Sequence, residues 1–122
     1  MKSHKDLDVW KRSIDLVTEI YEVTNKFPKA EIYGIINQMR RASVSIPSNI
    51  SEGAARQHPK EFVHFMYIAL GSTSELETQT IISEKLMFIT SLESGKIQDD
   101  IKSIRKMLIG LIKSVQVREW YP

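Results

Sequence analysis

The stretch from residue 38 to residue 56 reads QMRRASVSIPSNISEGAAR and carries two stripes of side chains with the same period. Its apolar stripe consists of Met39, Ala42, Ile46 and Ile50, at steps of three and four. Such steps return to one face of an α-helix, whereas a strand alternates at every second residue. The polar stripe beside it consists of Gln38, Arg41, Ser45, Asn49, Glu52 and Arg56. The stretch therefore predicts a helix with one apolar and one polar side.

Pro47 lies in the middle of this stretch. A proline there removes one backbone donor and crowds the carbonyl of Ser43, so the helix is either kinked or divided in two. Both stripes keep their phase across Pro47, which favours the kink. We therefore predict a single kinked helix over about residues 30–56.

Three further segments repeat the helical period and predict helices over about residues 6–25, 59–91 and 96–118. Helix-breaking residues separate the segments: NKFP at 25–28, the stretch from Gly53 to Pro59, and Ser94-Gly95. In the first helix the predicted inward-facing stripe is Leu7, Trp10, Ile14, Val17, Tyr21 and Thr24, widened by Val9, Leu16, Ile20 and Val23. The predicted inward-facing residues of the later helices include Phe62, Phe65, Met66 and Leu86 in the third, and Ile97, Ile101, Ile104 and Leu108 in the fourth. Four amphipathic helices with short connections predict an all-α domain, an antiparallel up-down-up-down four-helix bundle.

Composition narrows the class of protein further. The chain has 122 residues, enough for one domain, with 42% hydrophobic and 26% charged residues, as in ordinary globular proteins. It contains no cysteine, which excludes disulfides and thiolate metal sites. The first residues lack the apolar core of a signal peptide, and the apolar runs are far shorter than the ~20 residues of a membrane span. We expect a cytoplasmic protein without membrane contact.

Charge is unevenly distributed, although the net charge is only +2. The last predicted helix is basic and the one before it acidic. This pattern fits pairing between neighbouring helices or subunits, and it also fits a polyanion-binding stripe. Lys102, Lys106 and Lys113 share one outer face of the last helix, with Arg105 adjacent. Arg40 and Arg56 from the second helix complete the candidate nucleic-acid-binding set.

Catalytic and metal motifs are weak. Glu61 and His64 form one Glu-x-x-His, which di-iron bundles use twice, and a second copy is missing. Helical ribonucleases of the HEPN type use an arginine followed closely by a histidine, but Arg56 and His64 are too far apart and Pro59 separates them. No Walker loop, nucleophile elbow or catalytic carboxylate pair occurs. We expect no catalytic residue, metal or cofactor.

Several segments together resemble the family of 23S rRNA-intervening-sequence proteins. The matching residues are Leu7 with Val9-Trp10, Phe27-Pro28, EIYG at 31–34, the whole of 38–56, Glu61-Phe62, Phe65, Ala69, Gly71-Ser72 and ELE at 75–77. The resemblance implies a four-helix bundle that assembles into a ring-shaped homo-oligomer, typically a pentamer. A similar protein accompanies diversity-generating retroelements, where a more basic bundle binds reverse transcriptase and nucleic acid.

The polar stripe itself predicts a structural role. Gln38, Arg41, Asn49 and Glu52 flank the apolar stripe, so those that are partly buried need hydrogen-bond partners, and Glu75 is a plausible partner for Arg41. We interpret these five residues as a polar network that fixes helix register or a subunit contact; a ligand site is the alternative. Two functional hypotheses stay open: a non-enzymatic oligomeric adaptor that binds nucleic acid or a nucleoprotein partner, and a protein-only scaffold ring.

Overall fold

A computed structural model describes residues 3–118. Its four helices are α1 (Asp8–Thr24), α2 (Ile35–Ala55), α3 (Pro59–Lys85) and α4 (Ser91–Arg118), and short 3-10 turns cover His4–Asp6 and Lys29–Glu31. The described part contains no strand. The all-α, four-helix fold class is therefore confirmed. The aromatic tail at residues 120–122 lies outside the described residues.

The core follows the helical period of all four helices. Fully buried side chains at its centre each contribute roughly 1.5–3 kcal/mol of hydrophobic stabilisation. The largest of these side chains, all less than 2% exposed, are Leu16, Ile20, Met39, Ile46, Ile50, Phe62, Met66, Leu76, Ile97, Ile101, Ile104 and Leu108. Each helix packs against its neighbours in sequence, and α1 also packs against α4. The up-down-up-down order of the helices stays a prediction.

The stripe predicted to face inward on the first helix is correct on one side and too wide on the other. The residues of the stripe that are buried are Leu7, Val9, Leu16, Ile20, Val23 and Thr24. Ile14 and Tyr21 are 38% and 41% exposed, while Ser13 and Thr24 are buried. The hydroxyl of Ser13 donates to the carbonyl of Trp10 at 2.8 Å, and that of Thr24 donates to the carbonyl of Ile20 at 2.7 Å. Because each hydroxyl is satisfied within its own helix, small polar residues can occupy the core side. The prediction therefore missed Ser13 and extended the buried stripe too far around the helix, to Ile14 and Tyr21.

The end of α3 was predicted wrongly, at residue 91 instead of Lys85. Met87 adopts the left-handed conformation with φ of 63°. Its N–H donates to the carbonyl of Glu84, and the N–H of Phe88 donates to the carbonyl of Ser83, both at 2.9 Å. These two bonds form a Schellman motif, whose left-handed position glycine usually occupies. A side chain in that conformation costs roughly 1–2 kcal/mol.

The start of α4 was also predicted wrongly, at residue 96 instead of Ser91. Thr90 and Glu93 form a capping box: the Thr90 hydroxyl accepts from the Glu93 N–H at 3.1 Å, and the Glu93 carboxylate accepts from the Thr90 N–H at 3.0 Å. Gly95 lies inside the helix with open space beside it. The signal in the sequence was the T-x-x-E spacing at residues 90–93 rather than the glycine.

Helix α2 begins at Ile35, five residues later than predicted, because a 3-10 turn occupies Lys29–Glu31. The helix continues through Pro47 to Ala55 without a division. The kink itself remains a prediction.

Close contact between α2 and α3 is set by Gly53, where a Cβ atom would lie only 2.8 Å from the Cβ of Phe65.

The connection between α1 and α2 meets the connection between α3 and α4 at one end of the bundle. The rings of Phe27 and Phe88 lie 5.4 Å apart, and Lys26 forms an ion pair with Glu93. We call this end the tip.

Among the described residues, no helix has the length and apolarity needed to cross a membrane.

Candidate nucleic-acid interface

Three lysines define a basic face on α4. Lys102, Lys106 and Lys113 are exposed and lie at helical steps that keep them on one side, over about 16 Å of helix axis. Within residues 3–118 none of the three has an ion-pair or hydrogen-bond partner. Ile109, 41% exposed, lies on the same side of the helix between Lys106 and Lys113. We call the three lysines the lysine face.

Unlike the three lysines, Arg105 has hydrogen-bond and ion-pair partners within the chain. Its Nε donates to the Thr73 hydroxyl at 3.4 Å, and its NH2 group donates to the Ser74 hydroxyl at 3.2 Å. The same guanidinium lies 3.5 Å from the Glu77 carboxylate. These contacts hold α4 against α3, because one planar group can serve several acceptors at once.

Arg40 is also engaged within the chain. Its Nε donates to the Thr24 hydroxyl and its NH2 group to the Asn25 side-chain oxygen, both at 3.0 Å. The guanidinium stacks over the ring of Tyr21 at 4.5 Å from the ring centre. Arg40 therefore ties α2 to the C-terminal turn of α1.

Arg56 is the third arginine of the candidate set that has partners within the chain. Its NH2 group lies 2.9 Å from the Glu52 carboxylate and its NH1 group 3.7 Å from that of Glu61. It also lies over the ring of Phe65 at 5.2 Å. The six predicted basic residues are thus divided: the structure brings three lysines together and gives the three arginines partners inside the chain.

The predicted polar network is much smaller within the chain than expected. Arg41 and Glu75 are exposed and form no ion pair with each other or with another described residue. Gln38 is exposed as well, and Glu52 pairs with Arg56 instead. The physical reason is solvation, since exposed charges gain little from pairing. The network's second form, a subunit contact, stays a prediction.

Asn49 is the member of the set that is satisfied locally. Its amide donates to the Ser45 carbonyl at 2.8 Å and to the Ser45 hydroxyl at 2.9 Å. That hydroxyl also bonds the hydroxyl of Ser72 across the helix contact at 2.8 Å. This short chain of bonds links α2 to α3 and helps to fix their register.

The outer side of the α2–α3 pair combines unpaired charge with apolar surface. Ile68, Glu75 and Ile82 recur at steps of seven along one side of α3, and the two isoleucines are 40% and 42% exposed. Ser72 follows Ile68 by one turn and bonds Ser45, which belongs to the same stripe of α2 as Arg41. We call Arg41, Ile68, Glu75 and Ile82 the α2–α3 face.

A charged seam that we did not predict from the sequence joins α1 to α4. Lys96 pairs with Glu19 and Asp100, both at 3.1 Å, and Lys26 pairs with Glu93. Burial, followed by a hydrogen bond with Asp100, raises the pKa of Glu19. Hydrogen bonds from Lys26 and from the Thr90 backbone lower the pKa of Glu93. The available signal was the i,i+4 spacing of Lys96 and Asp100.

The seam pairs its charges internally and offers no vacant ligand set. Among residues 3–118, no group of three or more histidine, aspartate or glutamate side chains is arranged to hold a metal ion. Its role visible in the structure is to fasten the first helix to the last.

Four packed helices with a basic outer face define a small four-helix-bundle protein. The profile of the family described as 23S rRNA-intervening sequence protein matches residues 5–110, and the chain belongs to this family. A crystal structure of a protein with unknown function from the S23 ribosomal protein family of Bacteroides thetaiotaomicron VPI-5482 has the same fold. It superposes with a TM-score of 0.77 at 26% identity, over 86% of this chain and 98% of that one. Curated proteins yielded no match.

Proposed function

We propose that this protein is a non-enzymatic, oligomeric binding protein whose lysine face takes up the phosphate backbone of a nucleic acid. The observation that carries the proposal is that Lys102, Lys106 and Lys113 are exposed on one side of α4 without partners in the described chain. A lysine ammonium that is not already paired can neutralise a phosphate at little cost.

The lysine face suits backbone contact rather than base readout. Lysine acts as a compact point charge, whereas sequence-specific contacts favour planar, bidentate groups such as arginine. The three arginines of the candidate set are occupied by Glu52, Glu77 and Thr24, among others. We therefore expect binding with weak sequence preference and strong dependence on salt.

Assembly would multiply this modest charge. A single copy contributes at most three phosphate contacts, a salt slope of roughly −2.7 on duplex DNA at about −0.9 per phosphate. An oligomer presents the lysine face several times, and linked contacts raise the effective concentration of each later one. The homo-oligomer, pentameric by family resemblance, is part of the proposal.

Fluorescence anisotropy tests the proposal directly. Purified protein is titrated into a labelled structured RNA and a labelled DNA duplex, at low and near-physiological salt. The test variant carries Lys102→Glu, Lys106→Glu and Lys113→Glu. The control variant carries Lys11→Glu, Arg12→Glu and Lys60→Glu, three exposed cations outside α4 with no ion pair in the described chain. Both variants have the same formal net charge.

Binding that survives near-physiological salt, and is lost in the test variant but kept in the control, supports the lysine face. Equal loss in both variants would show that net charge, not this face, drives binding. No binding by the unmodified protein at low salt rejects the nucleic-acid function.

A protein-only scaffold is the second candidate, and the α2–α3 face favours it. Arg41 and Glu75 are unpaired there beside the exposed Ile68 and Ile82. Opposite charges on one face can pair between copies, which sets the register of an assembly.

Analytical ultracentrifugation with a charge swap tests this contact. Arg41→Glu alone should lower the assembled mass because two glutamates then meet across the contact. Adding Glu75→Arg to the same chain should restore the mass. An unchanged mass in Arg41→Glu, or no recovery in the double variant, removes this face from the assembly.

A further inference from the structure

We propose that the tip of the bundle is a second self-association surface, through which two copies meet end to end. The surface consists of Ile32, Tyr33, Leu86, Met87 and Leu92, which we call the tip patch. It shares no residue with the lysine face or with the α2–α3 face, which ends at Ile82, one turn before Leu86. The inference therefore rests on other residues than the proposed function does.

The tip patch contains three of the four most exposed large apolar side chains of the described chain, the fourth being Val117. Tyr33 is 93% exposed, Met87 88% and Leu92 85%, with Leu86 at 54% and Ile32 at 44%. Isolated exposed apolar residues are normal on a protein surface, but a group of them marks an interaction site.

These residues come from two connections that meet at one end. The contact between Phe27 and Phe88 joins the two connections, and the Lys26–Glu93 ion pair reinforces it. Ser83 contacts Met39 across the α2–α3 boundary at 3.4 Å, so the end of α3 at Leu86 lies beside the beginning of α2. The patch is thus a property of the fold and not of one loop.

Met87 is the residue that points most directly to binding. It occupies the left-handed position of the Schellman motif, where glycine fits without strain, and its side chain projects into solvent. The strained backbone at Met87 is not offset by burial of its side chain within the chain. Strained residues of this kind are found at binding sites, where the side chain contacts a partner.

The exposed area is appropriate for a second copy. Together the five residues expose the equivalent of between three and four complete large side chains. This is roughly 550 Å² at about 150 Å² each, the lower end of the aromatic range, because four of the five are aliphatic. A stable protein interface takes about 800 Å² from each partner. The patch therefore supplies most of one half of such an interface.

The charges around the patch also favour a second copy over other partners. Lys29 and Lys85 stand beside Glu31 and Glu84, and none of the four forms an ion pair in the described chain. A rim with equal numbers of both signs is self-complementary in a twofold contact. It gives no net attraction to an anionic membrane or to nucleic acid.

Single-cysteine cross-linking tests the proposal cleanly, because the chain contains no cysteine. Met87→Cys places a thiol in the tip patch. The control Val117→Cys places one on an equally exposed apolar residue, about 38 Å along α4 from Leu92. Mild oxidation should give a disulfide-linked dimer rapidly with Met87→Cys and not with Val117→Cys. Equal cross-linking of the two variants, or none with Met87→Cys, overturns the proposal.

A second measurement separates association from folding. The variant Met87→Gly with Tyr33→Ser should show half the sedimentation mass of the unmodified protein at the same concentration. Its thermal stability should not fall, because glycine relieves the left-handed strain. Equal masses over the whole concentration range reject end-to-end pairing. The lysine-face and α2–α3-face variants should cross-link through Met87→Cys as before, so failure of either proposal leaves the other measurable.

Discussion

Gly53 shows most clearly how one residue constrains the contact between α2 and α3. Its backbone has no unusual φ, so conformational freedom does not explain it. The reason is space: a Cβ atom there would lie 2.8 Å from the Cβ of Phe65 and 3.1 Å from Cδ1 of Phe62. The glycine in the stretch at 38–56 is therefore a packing requirement of the bundle.

We predict that Gly53→Ala destabilises the protein by about 1–3 kcal/mol, the usual cost of overpacking. This cost outweighs the gain of up to about 1 kcal/mol that alanine brings to a helix interior. Urea unfolding followed by circular dichroism measures the difference.

Gly71→Ala is the matched control, since nothing lies within 4 Å of a Cβ atom at that position. It should raise the free energy of unfolding by up to about 1 kcal/mol. If both alanines shift stability in the same direction, the close contact at Gly53 is not what limits that position.

At the scale of the helix, the hydrophobic periodicity does not determine where a helix ends. The apolar run after Lys85 continues the helical spacing, so the pattern extended α3 through Leu86 and Ile89. Hydrophobic spacing indicates which face of a helix is buried. It does not indicate where the backbone N–H groups stop bonding to the carbonyl four residues earlier, which is where the helix ends. The Schellman motif at Met87 and the capping box at Thr90 decide that, through individual hydrogen bonds.

We predict that Thr90→Ala lowers the free energy of unfolding by about 1 kcal/mol, because it leaves the N–H of Glu93 without its cap. Thr90→Ser keeps the hydroxyl and should stay close to the unmodified protein. Urea unfolding compares the three proteins, and an alanine variant as stable as the serine variant would show that the cap contributes nothing.

At the scale of the whole molecule, the charged seam between α1 and α4 makes stability depend on pH in two opposing ways. The pKa of Glu93 is lowered by Lys26, so its contribution is present above the ordinary glutamate pKa and is lost as pH falls through the lowered value. The pKa of Glu19 is raised by burial, so ionising it disfavours the folded state as pH rises.

We predict that Glu93→Gln lowers the unfolding temperature at pH 7 and that the difference from the unmodified protein shrinks as the pH falls below about 4, near the ordinary glutamate pKa. Glutamine retains the capping geometry, so the difference isolates the charge. Glu19→Gln should not lower the unfolding temperature at pH 7. Thermal scans across this pH range test both, and parallel curves for all three proteins would contradict the assignment.

The candidate site was predictable only in part. Helical spacing alone correctly placed Lys102, Lys106 and Lys113 on one side of α4. It could not show that Arg40 and Arg105 are occupied, because their partners lie on other elements. Arg56 pairs with Glu52 at the i,i+4 spacing, a signal that was present in the sequence. Tyr33 and Met87 are 54 positions apart in the sequence, and only the folded chain brings their connections to one end.

The order in which the helices pack has a consequence for how the chain folds. Apart from the contact between α1 and α4, every helix packs on the helix next to it in sequence. Contacts between sequence neighbours close short loops, and domains dominated by them fold in microseconds to milliseconds. The seam joins Lys96 to Glu19 across 77 positions of the sequence. It therefore has the largest loop-closure entropy cost and should form after the contacts between neighbouring helices. Weakening the seam at the Lys26–Glu93 pair would then quicken unfolding while leaving the folding rate almost unchanged.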